Sequence, residues 1–388
     1  MTRAVLTLNA GSSSLKVALF PLDGDTPLAS GIADRIGPEA TLRLKDAAGA
    51  PIVAAGDLTS HTSALAAVIA AFRCQWPGLD LAAIGHRVVH GGIDRTGPEK
   101  VTDALLTDLT TLAHFAPLHQ PHNLAGIRAA MAAFPGVPQV ACFDTAFHRG
   151  QPFIADAYAL PRALYAEGVR RYGFHGLSYD YIAGVLAKTE PQLGAGRVIV
   201  AHLGNGASLC ALEQGRSVAT TMGFSALDGV PMGTRPGQLD PGVLLYLMDQ
   251  KGMSATAISD LLYRQSGLLG LSGLSNDMRT LEASDTPEAA EAIDHFALRC
   301  QMEIGSMAAA LGGIDALVFC GGIGENARHV RSRICARLLW MGIELDPGRN
   351  AANARTISAD RSHTKVLVIP TNEELVIARA ARKAVVAG

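Results

Sequence analysis

The sequence predicts an α/β protein with two domains. Apolar runs of strand length alternate with runs of helical periodicity, an order that is typical of α/β folds. The chain has 388 residues, more than one hydrophobic core usually supports. A stretch near its start, VLTLNAGSSSLKVAL (5–19), also aligns without gaps on VIVAHLGNGASLCAL (198–212). Both stretches read as strand, turn and strand, which is what a duplicated fold would show.

Each predicted element follows from its apolar pattern and from the residues at its ends. Ser178 and Thr371 are the expected N-caps of two helices, and Thr371 with Glu374 fits a capping box. We expect strands at Val5–Leu8, Leu15–Phe20, Ile84–Val89, Val137–Phe143, Val198–Leu203, Ala316–Cys320 and Lys365–Ile369. We expect helices at Ser63–Phe72, Ser178–Lys188, Pro241–Gln250, Ala289–Ala310 and Thr371–Val386.

The domain boundary is expected near Gly150-Gln151-Pro152, where two poor helix formers interrupt the chain. The first domain would comprise residues 1–148 and the second residues 149–370. We expect the last helix, over residues 371–388, to fold back onto the first domain.

The overall composition favours a cytoplasmic enzyme. Hydrophobic residues make up 48% of the chain, and its formal net charge is −2 without a basic block, so nucleic acid and acidic membranes are disfavoured as partners. The longest uninterrupted apolar stretch, Ala64–Phe72, is too short to span a bilayer, and no secretory signal is visible. The six cysteines form no CxxC pair, which favours reduced, buried thiols.

The turns of the two repeated stretches are rich in glycine, serine and asparagine. An ordinary hairpin turn explains this composition without any further function. Backbone N–H and hydroxyl groups in a tight turn also form a cradle for phosphate, and Lys16 would add a positive charge. Because the layout recurs at HLGNGAS, we predict two phosphate-binding hairpins that face one cleft.

A different nucleotide motif supports an alternative interpretation. The chain contains no GxxxxGK[ST], so it is not a Walker-type protein. Gly322–Ala327 forms a GxGxxA after the strand-like ALVFC, and Glu344 lies 22 residues past Gly322, near the spacing of a ribose-binding acid. An NAD-dependent oxidoreductase is therefore the alternative, although the same turn could contact the adenosine of another nucleotide.

Several side chains at strand and helix ends are candidates for a catalytic site. Arg87 and Val89 share one face of a strand, where the arginine could bind a small carboxylate or form a structural ion pair. Asp144 follows a strand, at the position where open α/β sheets bind ligands, although an aspartate there can simply start a turn. His175 precedes a helix start, where it could face a phosphoryl group or be structural.

Two further candidates lie later in the chain. Packing does not explain Arg235 in the glycine- and proline-rich loop MGTRPGQLDPG. Glu373, in the first turn of the last helix, could hold Mg²⁺ through water or simply interact with the helix dipole.

Ordered motifs run along nearly the whole chain: NAGSSSLK, GHRVVHGG, PLHQPHN, FDTAFH, RYGFHGLS, HLGNGAS, MGTRPGQLDP, GGIGEN and TNEELVIA. Together they resemble the acetate kinase family, within the sugar kinase, heat-shock chaperone and actin group of folds. The resemblance implies two duplicated ribonuclease H-like (actin-like ATPase) domains with a cleft between them. It implies Mg²⁺-dependent, in-line transfer of a phosphoryl group from ATP to acetate, which gives acetyl phosphate and ADP. It also implies that Mn²⁺ can replace Mg²⁺ and that the protein is a homodimer.

The resemblance further implies roles for individual catalytic residues. Asn9 and Glu373 would position Mg²⁺, and Arg87 would bind the carboxylate. Asp144 would be the catalytic acid, or it would orient groups or hold Mg²⁺ rather than move a proton. His175 and Arg235 would stabilise the transferring phosphoryl group.

The resemblance assigns two binding sets as well. The nucleotide would contact Ser12, Ser14, Lys16, His202, Leu203, Gly204, Asn205, Gly206, Asp277, Met278, Arg279, Gly322, Ile323, Gly324, Glu325 and Asn326. The acyl group would contact Arg87, Val89, Leu118, Phe174 and Ala226.

The choice of acid stays open between acetate and propionate. Ala226 stands where the family often has proline, and the smaller residue could admit a longer acid. Val89 is the bulkier choice at its position and favours acetate. One methylene in an apolar pocket changes the binding free energy by only about 1–3 kcal/mol. A non-catalytic nucleotide-binding module is a further alternative, but it would need an attached partner-binding domain.

Overall fold

The computed structural model of the protein describes residues 2–11, 13–117 and 119–386. Two of the predicted site residues, Ser12 and Leu118, lie outside the described residues. The chain forms two compact units: unit 1 comprises Met1–Arg149 and Asn372–Gly388, and unit 2 comprises Gly150–Thr371.

The elements of both units are numbered here along the chain. The strands are β1 (Thr2–Ala10), β2 (Ser14–Pro21), β3 (Ala29–Asp34), β4 (Thr41–Asp46), β5 (Pro51–Ile52), β6 (Leu79–Val88), β7 (Glu99–Lys100), β8 (Gln139–Phe143), β9 (Arg197–Leu203), β10 (Ala207–Glu213), β11 (Arg216–Thr220), β12 (Ala316–Cys320) and β13 (Lys365–Val368). The helices are α1 (His61–Gln75), α2 (Asp103–Thr111), α3 (Gln120–Ala133), α4 (Phe153–Asp156), α5 (Arg162–Ala166), α6 (Gly176–Thr189), α7 (Pro191–Gly194), α8 (Pro241–Asp249), α9 (Ala255–Arg264), α10 (Gly267–Ser272), α11 (Met278–Glu282), α12 (Pro287–Leu311), α13 (Gly321–Asn326), α14 (Arg328–Cys335), α15 (Pro347–Ala351) and α16 (Glu373–Val386).

Unit 1 is built on a mixed sheet with the strand order β5-β4-β3-β2-β1-β6-β8-β7. Strand β1 pairs antiparallel with β2 and parallel with β6, and β6 is parallel to β8. Buried Leu65, Val68 and Phe72 recur at helical spacing along α1 and pack with β1 in the core. Helix α16 packs closely on β6: a Cβ atom at Gly85 would lie 2.4 Å from a side-chain carbon of Ile377.

Unit 2 repeats the central part of this architecture. Its sheet has the order β11-β10-β9-β12-β13, which matches β3-β2-β1-β6-β8 of unit 1. In each unit an antiparallel hairpin leads into two strands that are parallel to the first one. The buried face of α12, which includes Ile293, Phe296 and Ile304, covers the second sheet. The duplication that the two sequence stretches predicted is thus confirmed.

The ungapped alignment of the two hairpins is wrong by one residue beyond the turn. The last paired residues of the first hairpin are Ala10 and Leu15, whereas those of the second are Leu203 and Ala207. The first turn is therefore one residue longer than the second. An alignment without gaps could not represent this difference.

The predicted elements are confirmed, with ends that differ by a few residues, but both predicted N-caps are wrong. Helix α6 begins at Gly176 after His175, so Ser178 lies inside it. Asn372 caps α16, because its Oδ1 accepts the N–H of Leu375 at 3.0 Å. The N–H of Thr371 instead donates to Oε1 of Glu325 at 3.2 Å, so the capping box with Glu374 does not form.

The cysteines agree with the expectation of reduced thiols. All six are free, and every one except Cys74 is buried. Across the described residues, no helix combines the length and the apolar character needed to cross a membrane.

Candidate active site

Arg87 is the centre of a polar cluster in unit 1. It lies near the end of β6, between the parallel strands β1 and β8, whose carboxyl ends meet at the same edge of the sheet. Its Nε lies 3.1 Å from both carboxylate oxygens of Asp144, and its Nη2 lies 2.5 Å from Oδ2. Nη1 donates to Oδ1 of Asn9 at 3.3 Å, and Nε lies 4.0 Å from Oε2 of Glu373. These predicted site residues are therefore neighbours.

Burial controls the electrostatics of this cluster. The side chain of Asp144 is 1% exposed, that of Arg87 19% and that of Glu373 17%. Burial by itself lowers the pKa of Arg87, but the charges of Asp144, Glu373 and Glu374 outweigh it and raise that pKa, so Arg87 stays cationic. Burial raises the pKa of Glu373, although the positive charge of Arg87 opposes the shift.

The same cluster offers hard oxygen ligands for a cation. Asn9 supplies an amide oxygen, and Asp144 and Glu373 supply carboxylates. A divalent cation beside Glu373 would favour the charged carboxylate that burial disfavours. No group of three or more His, Cys, Asp or Glu side chains in the described parts of the chain is arranged to hold a metal. That still fits Mg²⁺, which is usually held by one or two carboxylates together with water and substrate phosphates.

Two buried amides on α3 hold the loop that follows Arg87. Asn123 accepts the N–H of Val89 at 3.0 Å and donates to the carbonyl of Ala10 at 2.6 Å, so it fixes the ends of β6 and β1 together. Gln120 exchanges hydrogen bonds with the backbone of His90 at 3.0 and 3.2 Å. Sequence reasoning gave neither residue a role. Their i, i+3 spacing in PLHQPHN, on one face of the first helical turn, is the signal that could have found them.

The first hairpin places Lys16 beside Asn9. The two residues are directly opposite in the β1–β2 ladder, so their side chains lie on the same face of the sheet. The N–H of Gly11 donates to the carbonyl of Ser14 at 2.8 Å and closes the turn. Lys16 also lines a cavity of about 350 Å³ together with Asn372.

In unit 2 the second hairpin turn packs against His175 and Arg235. A Cβ atom at Gly206 would lie 2.8 Å from Nη2 of Arg235 and 3.2 Å from Nε2 of His175. Nη1 of Arg235 donates to the carbonyl of Ala226 at 2.7 Å. Phe174, which precedes His175, is buried. The structure therefore brings the predicted phosphoryl-binding residues of this unit together.

A cavity of about 650 Å³ lies beside the same turn. It is lined by the predicted nucleotide residues Gly204, Asn205, Asp277, Met278, Arg279, Gly322, Ile323 and Asn326, and by Asn276, Glu282 and Ala327, which the sequence did not indicate. Asp277 and Arg279 form an ion pair at the rim, with Nη2 2.5 Å from Oδ2. Sequence motifs that are far apart in the chain thus share one cavity.

Other predicted nucleotide residues support this cavity rather than line it. Leu203 and Gly324 are buried in the packing of unit 2. Oε1 of Glu325 accepts the N–H groups of Gly321 at 2.9 Å and of Thr371 at 3.2 Å, which stabilises the start of α13. His202 lies at the end of β9 and stacks on His175, with the ring centres 4.3 Å apart.

Comparison with known proteins identifies the class of this site. The model of the acetokinase family matches residues 4–379. The acetate kinase of Methylocella silvestris is 57% identical, over 98% of this chain and 97% of its own length. The crystal structure of Porphyromonas gingivalis acetate kinase is 36% identical with a TM-score of 0.89, over 98% of this chain and 99% of that one. A propionate kinase from Francisella tularensis is 38% identical with a TM-score of 0.92 and the same coverage.

The likenesses define a phosphotransferase with an actin-like ATPase fold and a carboxyl group as its phosphoryl acceptor. The chain belongs to the acetokinase family. The oxidoreductase alternative is therefore wrong. Glu344, the residue offered as its ribose-binding acid, instead pairs with Arg361, with Nε 2.7 Å from Oε2. The non-catalytic alternative is also wrong, because the chain belongs to a family of phosphotransferases.

Because His86, the neighbour of Arg87 on β6, is buried, we expect the stability of the protein to depend on pH. Nε2 of His86 lies 2.7 Å from Oε1 of Gln139, and burial lowers its pKa to about 4. A histidine in the unfolded chain has a pKa of about 6.5. Between this value and the lower pKa of the folded state, the unfolded chain binds more protons than the folded one. The free energy of unfolding therefore falls as the pH drops. For this group alone we expect a loss of about 2 kcal/mol between pH 7 and pH 5.

Urea unfolding of the wild type and of His86→Gln at both pH values measures this contribution. The variant should lose about 2 kcal/mol less than the wild type over this interval. His363→Gln, at an exposed histidine, should behave like the wild type. An identical pH dependence of the wild type and His86→Gln would contradict the assignment.

Proposed function

We propose that the protein is an acetate kinase, which reversibly transfers the γ-phosphoryl group of ATP to acetate. The observation that carries this proposal is the approach of His175 Nε2 and Arg235 Nη2 to the Cβ position of Gly206, at 3.2 and 2.8 Å. A ring nitrogen of a histidine and a cationic guanidinium nitrogen thus lie close to one spot beside a hairpin turn. Such an arrangement suits a transferring phosphoryl group, whose charge is spread over its equatorial oxygens.

The chemistry needs positioning more than a strong base. An acetate oxygen would attack the γ-phosphorus in line while the bond from phosphorus to the ADP oxygen breaks. A carboxylate is already ionised at neutral pH, since its pKa lies well below 7. Asp144, which is held by Arg87 at 2.5–3.1 Å, would therefore orient groups rather than accept a proton.

Arg87 would bind the acetate carboxylate. Among the described residues, Asp144 and Asn9 use three of its five N–H groups. The others, one each on Nη1 and Nη2, can form the paired hydrogen bonds that suit a carboxylate. Its raised pKa keeps the guanidinium charged throughout the physiological range.

The nucleotide would bind in the 650 Å³ cavity of unit 2. Gly322, Ile323 and Asn326 of α13 and Asp277 to Arg279 of α11 would contact the adenosine. The turn at Gly204 and Asn205 would contact the phosphates. All the residues of unit 2 named here line the cavity.

Mg²⁺ would be held by Asn9 and Glu373. When bound, the ion would neutralise charge on the phosphates. Around it, Arg87 would keep Asn9 and Asp144 in place through its hydrogen bonds. Mn²⁺, which also accepts oxygen ligands, would be able to replace Mg²⁺.

Val89, Phe174 and Ala226 are proposed to contact the acyl group. Val89 and Phe174 are buried apolar residues, and the carbonyl of Ala226 accepts from Arg235. Propionate is the second candidate substrate, because a propionate kinase is among the similar solved structures.

Formation of acyl hydroxamate tests the function directly. The protein would be incubated with MgATP and hydroxylamine, and with acetate, propionate or butyrate in parallel. We expect the highest rate with acetate. Arg235→Ala should lower kcat by roughly 10²- to 10³-fold, because it removes a charged donor from the transition state.

Two controls make this assay decisive. Arg264→Ala removes an exposed arginine whose side chain pairs with Asp260, and it should keep wild-type activity. A rate that is highest with propionate would retain the chemistry and change the substrate. No product with any acid, from folded protein that still binds ATP, would refute the proposal.

Substitution of Arg87 should raise the KM for acetate far more than the KM for ATP. Loss of a charged, paired hydrogen bond costs about 1.5–3 kcal/mol, so Arg87→Lys should raise the KM for acetate roughly 10- to 100-fold. The KM for ATP should change far less. Lysine retains the positive charge beside buried Asp144, so the fold should be preserved. Arg95→Lys, at another ion-paired arginine of unit 1, is the matched control. Equal increases in both KM values would contradict the role of Arg87.

The homodimer is also a proposal, and α8 supports it. This nine-residue helix is mostly apolar, yet none of its residues is buried. Leu245 and Tyr246 are 58% and 50% exposed. Exposed apolar side chains that are contiguous on a helix are typical of contact surfaces.

We further propose a cytoplasmic location, which the free cysteines favour.

Sedimentation equilibrium tests the homodimer. We expect a molar mass near twice that of the chain, and a weakened dimer for Leu245→Glu. Val53→Glu, at an exposed apolar residue of unit 1, should leave the mass unchanged. A wild-type protein that sediments as a monomer at micromolar concentration would rule out the dimer.

A further inference from the structure

A chain of buried hydroxyl groups lies behind His175. Nδ1 of His175 is 2.8 Å from Oγ of Ser208, and the same Oγ is 2.5 Å from the hydroxyl of Tyr179. Ser208 lies on β10 and Tyr179 on α6, and both side chains are fully buried. The proposed function gives these two residues no role.

The imidazole ring of His175 is fixed on several sides. His175 has a φ of 57°, in the left-handed region that residues other than glycine rarely adopt. Its ring stacks on that of His202, with an angle of 23° between the planes. Ser208 contacts one nitrogen, and the other nitrogen faces the Cβ position of Gly206. The orientation of the ring is thus set, and only the position of its proton is left to decide.

Two serines form hydrogen bonds with the two stacked histidines. Ser208, which binds His175, is the ladder partner of His202. Ser178, which lies three residues after His175, binds Nδ1 of His202 at 2.8 Å. Nδ1 of His175 therefore contacts a serine on the strand that pairs with the strand of His202, and Nδ1 of His202 contacts a serine on the helix that begins directly after His175. This arrangement places both Nδ1 atoms on protein hydroxyls rather than toward the Gly206 turn.

We propose that Tyr179 and Ser208 are positioning residues that keep the proton of neutral His175 on Nε2. A phenol is more acidic than an aliphatic hydroxyl, so Tyr179 donates to Oγ of Ser208. Ser208 then donates its own proton to Nδ1. With Nδ1 as an acceptor, neutral imidazole carries its proton on Nε2. That N–H points to the spot shared with Arg235, where an anionic phosphoryl oxygen requires a donor. The inference rests on the proposed role of His175.

The test combines a spectroscopic signature with kinetics. The ¹⁵N NMR spectrum of histidine-labelled protein at neutral pH distinguishes protonated from unprotonated ring nitrogens, and His175→Gln assigns the signal. We expect an unprotonated Nδ1 in the wild type and a mixture of tautomers in Ser208→Ala. In the hydroxamate assay, kcat of Ser208→Ala should fall roughly tenfold or more, and by less than the 10²- to 10³-fold expected on loss of the donor itself. The KM values should stay nearly constant.

Conservative variants at both positions distinguish the loss of a hydrogen bond from misfolding. Tyr179→Phe should lower kcat by less than Ser208→Ala, and Ser208→Thr, which keeps the hydroxyl, should recover most of the activity. Tyr172→Phe is the matched control, because it also removes a buried hydroxyl, one that donates to the carbonyl of Gly168 at 2.8 Å, and it should leave the tautomer unchanged.

Three results would overturn the inference: a protonated Nδ1 in the wild type, an unchanged kcat in Ser208→Ala, or an equal loss in Tyr172→Phe. Failure of the proposed function looks different. In that case the wild type would form no hydroxamate, or His175→Gln would be fully active, whatever the NMR spectrum shows.

Discussion

The contact between Arg87 and Asp144 is the constraint on which the site in unit 1 depends. A carboxylate that is 1% exposed cannot remain charged without a partner, and Arg87 supplies that partner through bonds of 2.5–3.1 Å. The same guanidinium reaches Asn9 on β1 and lies near Glu373 of α16. One arginine therefore links three parallel strands and the final helix. The strand ends must stay in register for this to occur, which is why a buried amide, Asn123, binds the backbone of both β1 and the segment after β6.

Duplication supplied two equivalent hairpins, and each has been adapted differently. In unit 1 the hairpin carries charge in its strands, since Lys16 lies opposite Asn9. In unit 2 the corresponding strands carry His202 and Ser208, and the charge comes from Arg235 on a separate loop. Both hairpins retain a glycine-containing turn, which is one residue longer in unit 1 than in unit 2. Backbone N–H groups bind anions irrespective of side chains, so a duplicated turn can keep this property while the residues around it diverge.

Much of the fold could be predicted from sequence because its signals are local. Strand β12 was placed correctly to the residue, since ALVFC is a continuous apolar run between turn residues. Asp144 was placed at a ligand-binding edge because it directly follows β8. The remaining features depend on partners distant in the chain. Thr371 and Asn372 are both good N-caps, and the choice between them follows from Glu325, which takes the N–H of Thr371. The ion pair of Arg87 was one of two alternatives that sequence could not separate, and its partner lies 57 residues away.

Gly206 shows why the empty space at this turn matters as much as the groups around it. A Cβ atom there would lie 2.8 Å from Nη2 of Arg235, closer than real Cβ contacts allow, and 3.2 Å from Nε2 of His175, which is closer than most of them. Glycine thus keeps open the volume beside these two nitrogen atoms. At Gly11 of the first hairpin, a Cβ atom would likewise lie 2.8 Å from Oγ of Ser14. In both turns the absence of a side chain keeps polar groups accessible to an anion, and the backbone can approach a phosphate without steric hindrance. The two hairpins thus have in common a glycine whose missing side chain leaves space in the turn.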